Sequence, residues 1–397
     1  MSRLRVALLF GGKSGEHEVS IASALSIYSA LDKSKYEVTL IGIDKSGQWL
    51  LPDQTKILAQ AKNPAAVNLN DHHQQLVTLI PYPHEENLLL LDSSAASAGA
   101  RAGAGAGAGA SESASASGGA AGGAEAAGAA AKPSDARKFD VFLPILHGPY
   151  GEDGTIQGLL DLAQVPYVGS GVLGSAVGMD KQMAKKIMQA EGIPVVPFLT
   201  VRRHEFTKNP EQFLEEAEKR FGLPYFVKPA NMGSSVGVNK VKTRAEARAK
   251  FEDAFLHDTK VLVEKFIKAR ELEVAILGNH LPEASIIGEI VPHHEFYSYE
   301  AKYIDENGAE LLIPAPNLSD ARMSEIKQLA IKAFQALECS GMARVDFFYD
   351  EAAGKVYINE INTIPGFTKI SMYPKLWAAT GLPYPKLLDK LIDLALE

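Results

Sequence analysis

Three oxygen-bearing side chains lie in two apolar segments near the carboxyl end of the chain. Asp346 lies in the segment ARVDFF, and Glu360 and Asn362 lie in the segment INEINT. A carboxylate within an apolar strand costs free energy unless it is paired or binds a metal, and residues two apart on a strand share one face. Oxygen ligands of this kind suit Mg²⁺ that is held together with triphosphate oxygens. These residues therefore predict a magnesium site.

A second feature, Lys228 with the loop that follows it, has the composition of a phosphate-binding loop. The lysine ends a predicted strand, and residues 232–237 read MGSSVG. Glycines let the backbone approach phosphate oxygens closely, and successive N–H groups can surround an anion. A simple β-turn would also favour glycine and serine, so the loop alone leaves both interpretations open.

A third feature is a strand with a polar end. Residues 261–267 read VLVEKFI, and Glu271 follows. The backbone of such a strand end can bind adenine, and the carboxylate of Glu271 can bind a ribose. An ordinary strand with a polar end explains the same residues, so this segment alone does not decide the function.

Composition excludes several other classes. Forty Lys and Arg against 48 Asp and Glu give the 397-residue chain a net charge of −8, which argues against a general nucleic-acid binder. The single cysteine, Cys339, excludes a disulfide framework and multi-cysteine metal sites, and we expect it to be packed near a helix end. No apolar run reaches the roughly 18–20 residues that span a bilayer, and the amino terminus does not resemble a signal peptide. We therefore expect a cytoplasmic protein that binds neither nucleic acid nor membranes.

Two glycine motifs do not fit their usual functions. Residues 11–14 read GGKS but lack the earlier glycine of a Walker loop, because position 7 is alanine. Residues 169–174 read GSGVLG, yet no strand ending in an acid follows at the distance that dinucleotide binding requires. We interpret the second motif as a structural turn.

Alternating strands and helices must position these residues. The predicted strands are 6–10, 37–43, 139–146, 165–168, 224–228, 261–266, 272–277, 342–349 and 355–361. The predicted helices are 21–31, 179–191 and 324–337. Such alternation indicates an α/β protein with a mostly parallel sheet.

One long segment differs from the rest of the chain. From residue 93 to 131 every residue is Ala, Gly or Ser except Arg101, Glu112 and Glu125. Without large apolar side chains this segment cannot offset an ordering cost of about 1–2 kcal/mol per residue. We predict a disordered insertion over residues 93–136 that leaves the chemistry intact; the alternative is a tether for a partner or for localisation.

Taken in order along the chain, these motifs resemble the ATP-grasp fold and, more specifically, the D-alanine–D-alanine ligase family. The resemblance covers nearly the whole chain outside residues 93–131. The segments that carry it read GGKSGEHEVS at 11–20, HGPYGEDGT at 147–155, MDK at 179–181, EAKY at 300–303 and EINTIPGF at 360–367.

The resemblance implies a fold and an activity. The fold is an N-terminal Rossmann-like, parallel-sheet domain over residues 1–169, followed by ATP-grasp subdomains at 170–264 and 265–397 with a catalytic loop at about 293–310. The activity is phosphorylation of one D-alanine by ATP and attack by the amine of a second, which gives the dipeptide for peptidoglycan, ADP and phosphate. The implied cofactors are ATP as co-substrate and two Mg²⁺, or Mn²⁺, and the implied assembly is a homodimer.

The resemblance also implies roles for individual residues. The residues implied to bind ATP are Lys181, Lys228, Ser234, Glu264, Lys265, Ile267, Glu271 and Lys302. Among these, the lysines would meet the phosphates, residues 264–267 the adenine, and Glu271 the ribose. The residues implied to bind the metal ions are Asp346, Glu360 and Asn362.

The implied catalytic and substrate residues lie on several segments. Glu16 would bind the ammonium group of the first D-alanine and connect through Ser234 to Tyr303, while Arg344 would stabilise the oxyanion. His147 would lie near the first substrate. The residues implied to receive the second D-alanine are Gly366, Ser371 and Met372.

Two alternatives stay open. A D-alanine–D-lactate ligase or another ATP-grasp dipeptide ligase shares most of these motifs, although relatives that make the D-lactate product depart from the EAKY sequence that this chain keeps at 300–303. A non-catalytic nucleotide-binding or scaffold protein is disfavoured. The residues whose loss would have supported it are Lys228, Arg344, Asp346, Glu360 and Asn362, and all are present.

Overall fold

The computed structural model of this chain describes residues 2–60, 67, 69, 75–91, 136–293 and 308–397. The segment 93–131, Lys302, Tyr303 and most of the predicted catalytic loop lie outside these residues. The described strands form three sheets, and the described helices cover them.

The first sheet is built from the amino-terminal part of the chain. Its strands are β1 (Leu4–Gly11), β2 (Tyr36–Ile43), β3 (Trp49–Leu51), β4 (Gln75–Leu79), β5 (Leu88–Leu91), β6 (Ala136–Arg137) and β7 (Val141–Ile145), in the spatial order β6-β5-β4-β3-β2-β1-β7. The helices of this part are α1 (His17–Ala30), α2 (Gln54–Ala59) and α3 (Thr155–Leu162).

The prediction of an α/β fold is confirmed, but the parallel pairing is limited. Within the first sheet, β1 pairs in parallel with β2 and β7, whereas the pairs from β2 to β6 are antiparallel. The short connection between β2 and β3 permits only antiparallel neighbours, because a parallel crossover needs about a dozen residues or more. The predicted strand at 165–168 is reduced to one bridge between Tyr167 and Phe142.

The middle of the chain carries a smaller antiparallel sheet. It follows α4 (Val172–Met179) and α5 (Lys181–Ala190), and its strands are β8 (Phe198–Arg202), β9 (Tyr225–Pro229), β10 (Asn239–Val241) and β11 (Lys260–Lys265). Its helices are α6 (Arg203–Lys208), α7 (Pro210–Phe221) and α8 (Arg244–His257). The strand order is β10-β9-β11-β8.

The predicted helix at 179–191 is confirmed as α5, which begins two residues later than predicted, at Lys181; α4, which ends at Met179, was not predicted. Asp180, between α4 and α5, has an extended backbone with ψ of 98°, and its carboxylate accepts hydrogen bonds from the Gln182 and Met183 N–H groups. A carboxylate that caps the first N–H groups of a helix stabilises a new helix start there. The start of α5 at Lys181 therefore follows from Asp180 acting as an N-cap.

The third sheet and the last helices complete the fold. The strands are β12 (Arg270–Gly278), β13 (Glu283–Pro292), β14 (Ala309–Leu312), β15 (Gly341–Asp350) and β16 (Lys355–Asn362), all antiparallel, in the order β14-β13-β12-β15-β16. The helices are α9 (Asp320–Ala336), α10 (Met372–Thr380) and α11 (Tyr384–Ala395). Cys339 is buried just after α9, as predicted, and burial raises the pKa of its thiol to about 12.

The carboxyl end of the chain packs against its beginning. One apolar core joins residues of β1 and α1 to residues of α10 and α11, among them Phe10, Ile21, Tyr373 and Leu388. This packing brings the segment between β16 and α10 next to α1. Among the described residues, no helix is both long and apolar enough to cross a membrane.

The strand pairing beside the insertion predicts how the chain responds to its removal. Leu89 pairs with Ala136 and Leu88 with Arg137, so β5 and β6 are already neighbours. Deleting residues 93–131 leaves a short hairpin connection, and closing a shorter loop costs less entropy. We expect the unfolding temperature to stay within about 3 °C of the full chain, which corresponds to about 1 kcal/mol, and any catalytic rate to stay within a few-fold. A large fall in either quantity, by calorimetry or initial rates, would show that the segment supports the fold.

Candidate active site

The acidic residues of the third sheet lie on one face. Asp346 on β15 is directly opposite Glu360 on β16 and Glu273 on β12. Directly opposed residues of antiparallel strands project to the same side of a sheet. The strand period thus brings three carboxylates together. Asn362, two residues after Glu360, lies on the same face, and its Nδ2 donates to Asp346 Oδ2 at 3.0 Å.

Arg344 is held among these carboxylates. Its Nε and Nη2 each donate to one oxygen of Asp346 at 2.7 Å, and its Nε lies 3.0 Å from Glu273 Oε2. A planar guanidinium that engages both carboxylate oxygens is fixed in direction as well as position. The prediction that Arg344 and Asp346 share one face is therefore confirmed by a direct contact.

A buried carboxylate on β11 is shared by two lysines. Glu264 is 1% exposed; its Oε2 lies 2.7 Å from Lys228 Nζ and its Oε1 lies 3.0 Å from Lys185 Nζ. Burial alone would raise the pKa of Glu264, but the two ammonium groups outweigh burial and hold that pKa below its usual range. For Lys228, burial is outweighed by Glu264 and Glu360, and its pKa is raised. For Lys185, burial dominates and lowers the pKa.

Lys181 connects the lysine cluster to the glycine–serine loop. Its Nζ donates to the Met232 carbonyl at 2.8 Å and lies 3.3 Å from Glu360 Oε2. Lys228 Nζ also donates to Asn359 Oδ1 at 3.2 Å. Lys181 thus lies beside both the loop and a predicted metal ligand, and Lys228 contacts the residue next to that ligand.

The loop also contacts the amino-terminal part of the chain. The Ser234 hydroxyl donates to Glu16 Oε1. Glu16 is buried, and a Cβ added at Gly233 would lie 2.6 Å from its Oε2, while one added at Gly148 would lie 2.8 Å from the same atom. A side chain at either position would therefore displace this carboxylate from its present place.

His147 is buried with both ring nitrogens in contact with protein atoms. Nδ1 lies 3.0 Å from the Ile364 carbonyl oxygen, and Nε2 lies 3.2 Å from Ser23 Oγ. Burial lowers the pKa of the imidazole. The ring is therefore neutral at neutral pH.

The segment predicted to receive a second substrate precedes and begins α10. Ser371 Oγ accepts a hydrogen bond from Thr368 N at 3.0 Å, and a Cβ on Gly366 would lie 2.7 Å from Ser371 Oγ. Met372 is buried at the first position of the helix.

Most of the predicted residues line one pocket. Those that line it are Glu16, His147, Ser234, Glu271, Arg344, Asp346, Glu360, Asn362, Gly366, Ser371 and Met372. Beside this pocket, Lys185, Lys228 and Glu264 form the lysine cluster, and Lys181 lies between that cluster and the loop. Lys265 is exposed and Ile267 half-buried at the end of β11, outside the pocket lining.

Sequence reasoning missed three residues that the structure brings to the site. Lys185 lies four residues after Lys181, a spacing that places both on one face of α5. Glu152, in the pocket lining, lies within the segment at 147–155 but had no role assigned. Glu273 follows Glu271 by two residues, and the strand period alone predicts that they share a face.

Comparisons with known proteins identify the family. The family model described as "D-ala D-ala ligase N-terminus" matches residues 5–170, and "D-ala D-ala ligase C-terminus" matches residues 187–393. This chain belongs to the D-alanine–D-alanine ligase family. Among curated members, "D-alanine--D-alanine ligase" of Shouchella clausii is 46% identical over 100% of this chain and 96% of its own length. "D-alanine--D-alanine ligase A" of Chromobacterium violaceum is 45% identical over 100% and 96%.

Solved ligase structures share the fold. The D-alanine-D-alanine ligase of Coxiella burnetii is 36% identical with a TM-score of 0.76, over 100% of this chain and 94% of that one. VanG D-Ala:D-Ser ligase of Enterococcus faecalis is 32% identical with a TM-score of 0.77, over 99% of this chain and 100% of that one. The ATP-grasp fold expected from the sequence is thereby confirmed, and the chain is a ligase.

The shared carboxylate of Glu264 allows a test of the lysine cluster. Glu264→Gln leaves Lys185 and Lys228 buried without their common carboxylate, so we expect the free energy of unfolding to fall by about 3–5 kcal/mol. Guanidinium unfolding monitored by circular dichroism measures the loss.

A matched control is Glu283→Gln. Glu283 pairs with Lys390 at 3.4 Å, and both side chains are largely exposed. An exposed pair contributes at most about 1 kcal/mol, so the control should unfold almost as the parent does. Equal losses in the two variants would contradict the assignment of Glu264 as the charge that neutralises the cluster.

Proposed function

We propose that this protein joins two D-alanine molecules to D-alanyl-D-alanine at the expense of ATP, through a D-alanyl phosphate, for peptidoglycan precursor synthesis. The observation that carries the proposal is the Glu16–Ser234 contact at the pocket that also holds Arg344 and Asp346. It brings a buried carboxylate of the amino-terminal part to a loop of the phosphate-binding type. A ligand ammonium and a phosphorylated carboxyl group would then meet in one pocket.

The first half of the reaction needs phosphate positioning. Phosphoryl transfer depends mainly on alignment and on neutralising the charge of the transferred group. Lys181 contacts the 232–237 loop at Met232, Lys228 shares Glu264 with Lys185, and both Lys181 and Lys228 are suited to hold phosphate oxygens. Because two lysines bind the Glu264 carboxylate, Glu264 would contact adenine through its backbone. Lys265 and Ile267 would contact adenine as well, and Glu271 would bind the ribose.

The residues present fit a magnesium–nucleotide complex. Arg344 contacts Asp346, Lys181 contacts Glu360 and Lys228 contacts Glu264, so each of these cations already has a carboxylate partner. A triphosphate entering among these carboxylates needs additional positive charge. In the described part of the chain no three His, Cys, Asp or Glu side chains form a metal site by themselves, so the amide oxygen of Asn362 and the phosphates would complete the ligand set.

We propose that Asp346, Glu360 and Asn362 hold two Mg²⁺, with Mn²⁺ as a substitute. Bound there, the ions would neutralise charge on the phosphates. Arg344, fixed in direction by Asp346, is suited to stabilise the oxyanion that forms when the acceptor amine attacks the acyl phosphate. Glu16 would orient the first D-alanine through its ammonium group.

The acceptor would be taken by Gly366, Ser371 and Met372. The Ser371 hydroxyl and nearby backbone N–H groups are suited to an acceptor carboxylate. VanG D-Ala:D-Ser ligase shares this fold with a TM-score of 0.77, so the fold alone does not select the acceptor. We favour an amine acceptor over D-lactate because the chain keeps EAKY at 300–303, and D-alanine because the curated relatives are named D-alanine–D-alanine ligases. By the same resemblance, Lys302 would reach the phosphates and Tyr303 would complete the Glu16–Ser234 connection.

Two further proposals concern the protein in the cell. We propose a cytoplasmic location, where ATP is available, and a homodimer. Sedimentation of the purified protein tests the second: a species of twice the chain mass is expected, and a monomer at working concentration contradicts it.

The activity is tested by phosphate release with ATP, Mg²⁺ and D-alanine, with mass detection of the product. We expect release with D-alanine alone and the dipeptide as product, and no release with L-alanine. Release only on addition of D-lactate or D-serine would assign the protein to another branch of the family. No release with any of these would contradict the proposal.

The metal ligands are tested separately by Glu360→Gln. The amide keeps the shape of the side chain but loses a charge, so we expect turnover to fall at least about 1,000-fold, equivalent to about 4 kcal/mol of transition-state stabilisation, with the unfolding temperature little changed. The matched control is Glu351→Gln, on the hairpin after β15, where the carboxylate is 62% exposed beside Arg270. Normal turnover of the Glu360 variant would remove the metal assignment.

A further inference from the structure

The backbone of Ile364 is held by two side chains of one distant loop. The Ile364 N–H donates to Glu152 Oε1 at 3.0 Å, and the Ile364 carbonyl lies 3.0 Å from His147 Nδ1. Glu152 and His147 belong to the loop between β7 and α3, more than 200 residues earlier in the chain. The loop thereby fixes the start of the segment that leads to Gly366 and Ser371.

The other carboxylate oxygen of Glu152 acts within its own loop. Glu152 Oε2 accepts a hydrogen bond from Gly148 N at 2.7 Å. Gly148 lies against Glu16, because a Cβ at this position would be 2.8 Å from Glu16 Oε2. One carboxyl group therefore links the neighbour of Glu16 to the beginning of the acceptor segment.

A second connection runs parallel to the first. The Ile364 carbonyl can only accept, so His147 Nδ1 carries the proton and Nε2 accepts from the Ser23 hydroxyl. Ser23 Oγ in turn accepts from Phe367 N at 3.2 Å. The loop, α1 and residues 364–367 are thus joined by a continuous series of hydrogen bonds whose directions are mutually consistent.

Resting on the proposed function, we propose that Glu152 is a positioning residue that sets the acceptor site relative to the first substrate. Its carboxyl group bridges Gly148 and Ile364 and so determines where Gly366 and Ser371 lie. Attack of an amine on an acyl phosphate is sensitive to small displacements, and a misplacement of about 1 Å can cost about 100-fold in rate. The bridge acts on the acceptor through the backbone of residues 364–371, while the Gly148 N–H anchors the carboxyl group from its own loop.

The variant Glu152→Gln tests whether Glu152 positions the acceptor site or only stabilises its own loop. An amide has one accepting oxygen, so one of the two N–H donors would face an NH₂ group. We expect the KM for the acceptor D-alanine to rise about tenfold or more, which is about 1.4 kcal/mol, and the KM values for ATP and the first D-alanine to change less than about threefold. Initial rates over a wide range of D-alanine resolve the two alanine constants, and calorimetric titration with Mg·ADP reports nucleotide binding without turnover.

The matched control is Asp153→Asn at the adjacent carboxylate. Asp153 also accepts two backbone N–H groups, from Tyr150 at 2.9 Å and from Thr155 at 3.0 Å, but both lie in its own loop. We expect its acceptor KM to stay within about twofold of the parent. Equal effects of the two variants, or an equal rise of all three KM values in Glu152→Gln, would overturn the proposal.

A second variant covers the case in which Glu152→Gln does not fold. Glu152→Asp keeps the carboxyl group but is one methylene shorter, so it reaches only one of the two N–H groups, and we expect an intermediate, acceptor-selective rise in KM. An unchanged acceptor KM would contradict the bridge. The parent protein shows whether the proposed function itself fails. If the parent ligates an acceptor other than D-alanine, the variants are compared with that acceptor, and the KM for that acceptor must still rise more than the other KM values.

Discussion

The antiparallel register of β12, β15 and β16 is the constraint on which the site depends. It sets Asp346 opposite both Glu273 and Glu360, while Val345 and Phe347 project to the other side, into the core beneath α9. A shift of one residue would exchange the acidic and apolar faces. Burial of the apolar face against α9 therefore fixes the acidic face toward the pocket, and no separate interaction is needed to orient it.

The second constraint is the return of the chain's end to its beginning. The core shared by α1, α10 and α11 is reinforced at its rim, where Asp389 accepts from Lys35 Nζ at 2.7 Å and from Tyr36 Oη at 3.0 Å. Hydrophobic burial is non-directional and brings the two parts together without setting a register. Directional hydrogen bonds, such as Phe367 N to Ser23 Oγ, then define how residues 364–367 lie against α1.

Local patterns predicted what depends on local periodicity. The strand period placed Arg344 and Asp346 on one face. The apolar runs located β1, β2, β7, β9, β11, β12, β15 and β16 to within a few residues, but the other described strands were not predicted. Pairing partners were harder to predict, because β2 to β6 and the two later sheets are antiparallel where alternation suggested parallel strands. The start of α5 was predicted two residues too early, because the capping role of Asp180 depends on a backbone geometry that the sequence pattern does not show. Contacts such as Glu152 to Ile364 leave no local signal, since the partner is a backbone N–H group that every non-proline residue carries.

The state of His147 illustrates how these constraints limit the chemistry. A histidine near a reacting amine suggests a general base, since its usual pKa lies near neutrality. Here Nδ1 faces a carbonyl oxygen and Nε2 faces the Ser23 hydroxyl, and burial lowers the pKa of the ring. To accept a proton at Nε2, the ring would have to give up its contact with the Ser23 proton and place a charge in a buried site, which is costly. The charge of Glu16 raises the pKa of the ring, but burial outweighs it. The geometry therefore makes His147 a connection between α1 and residues 364–367, and that connection depends on the neutral ring.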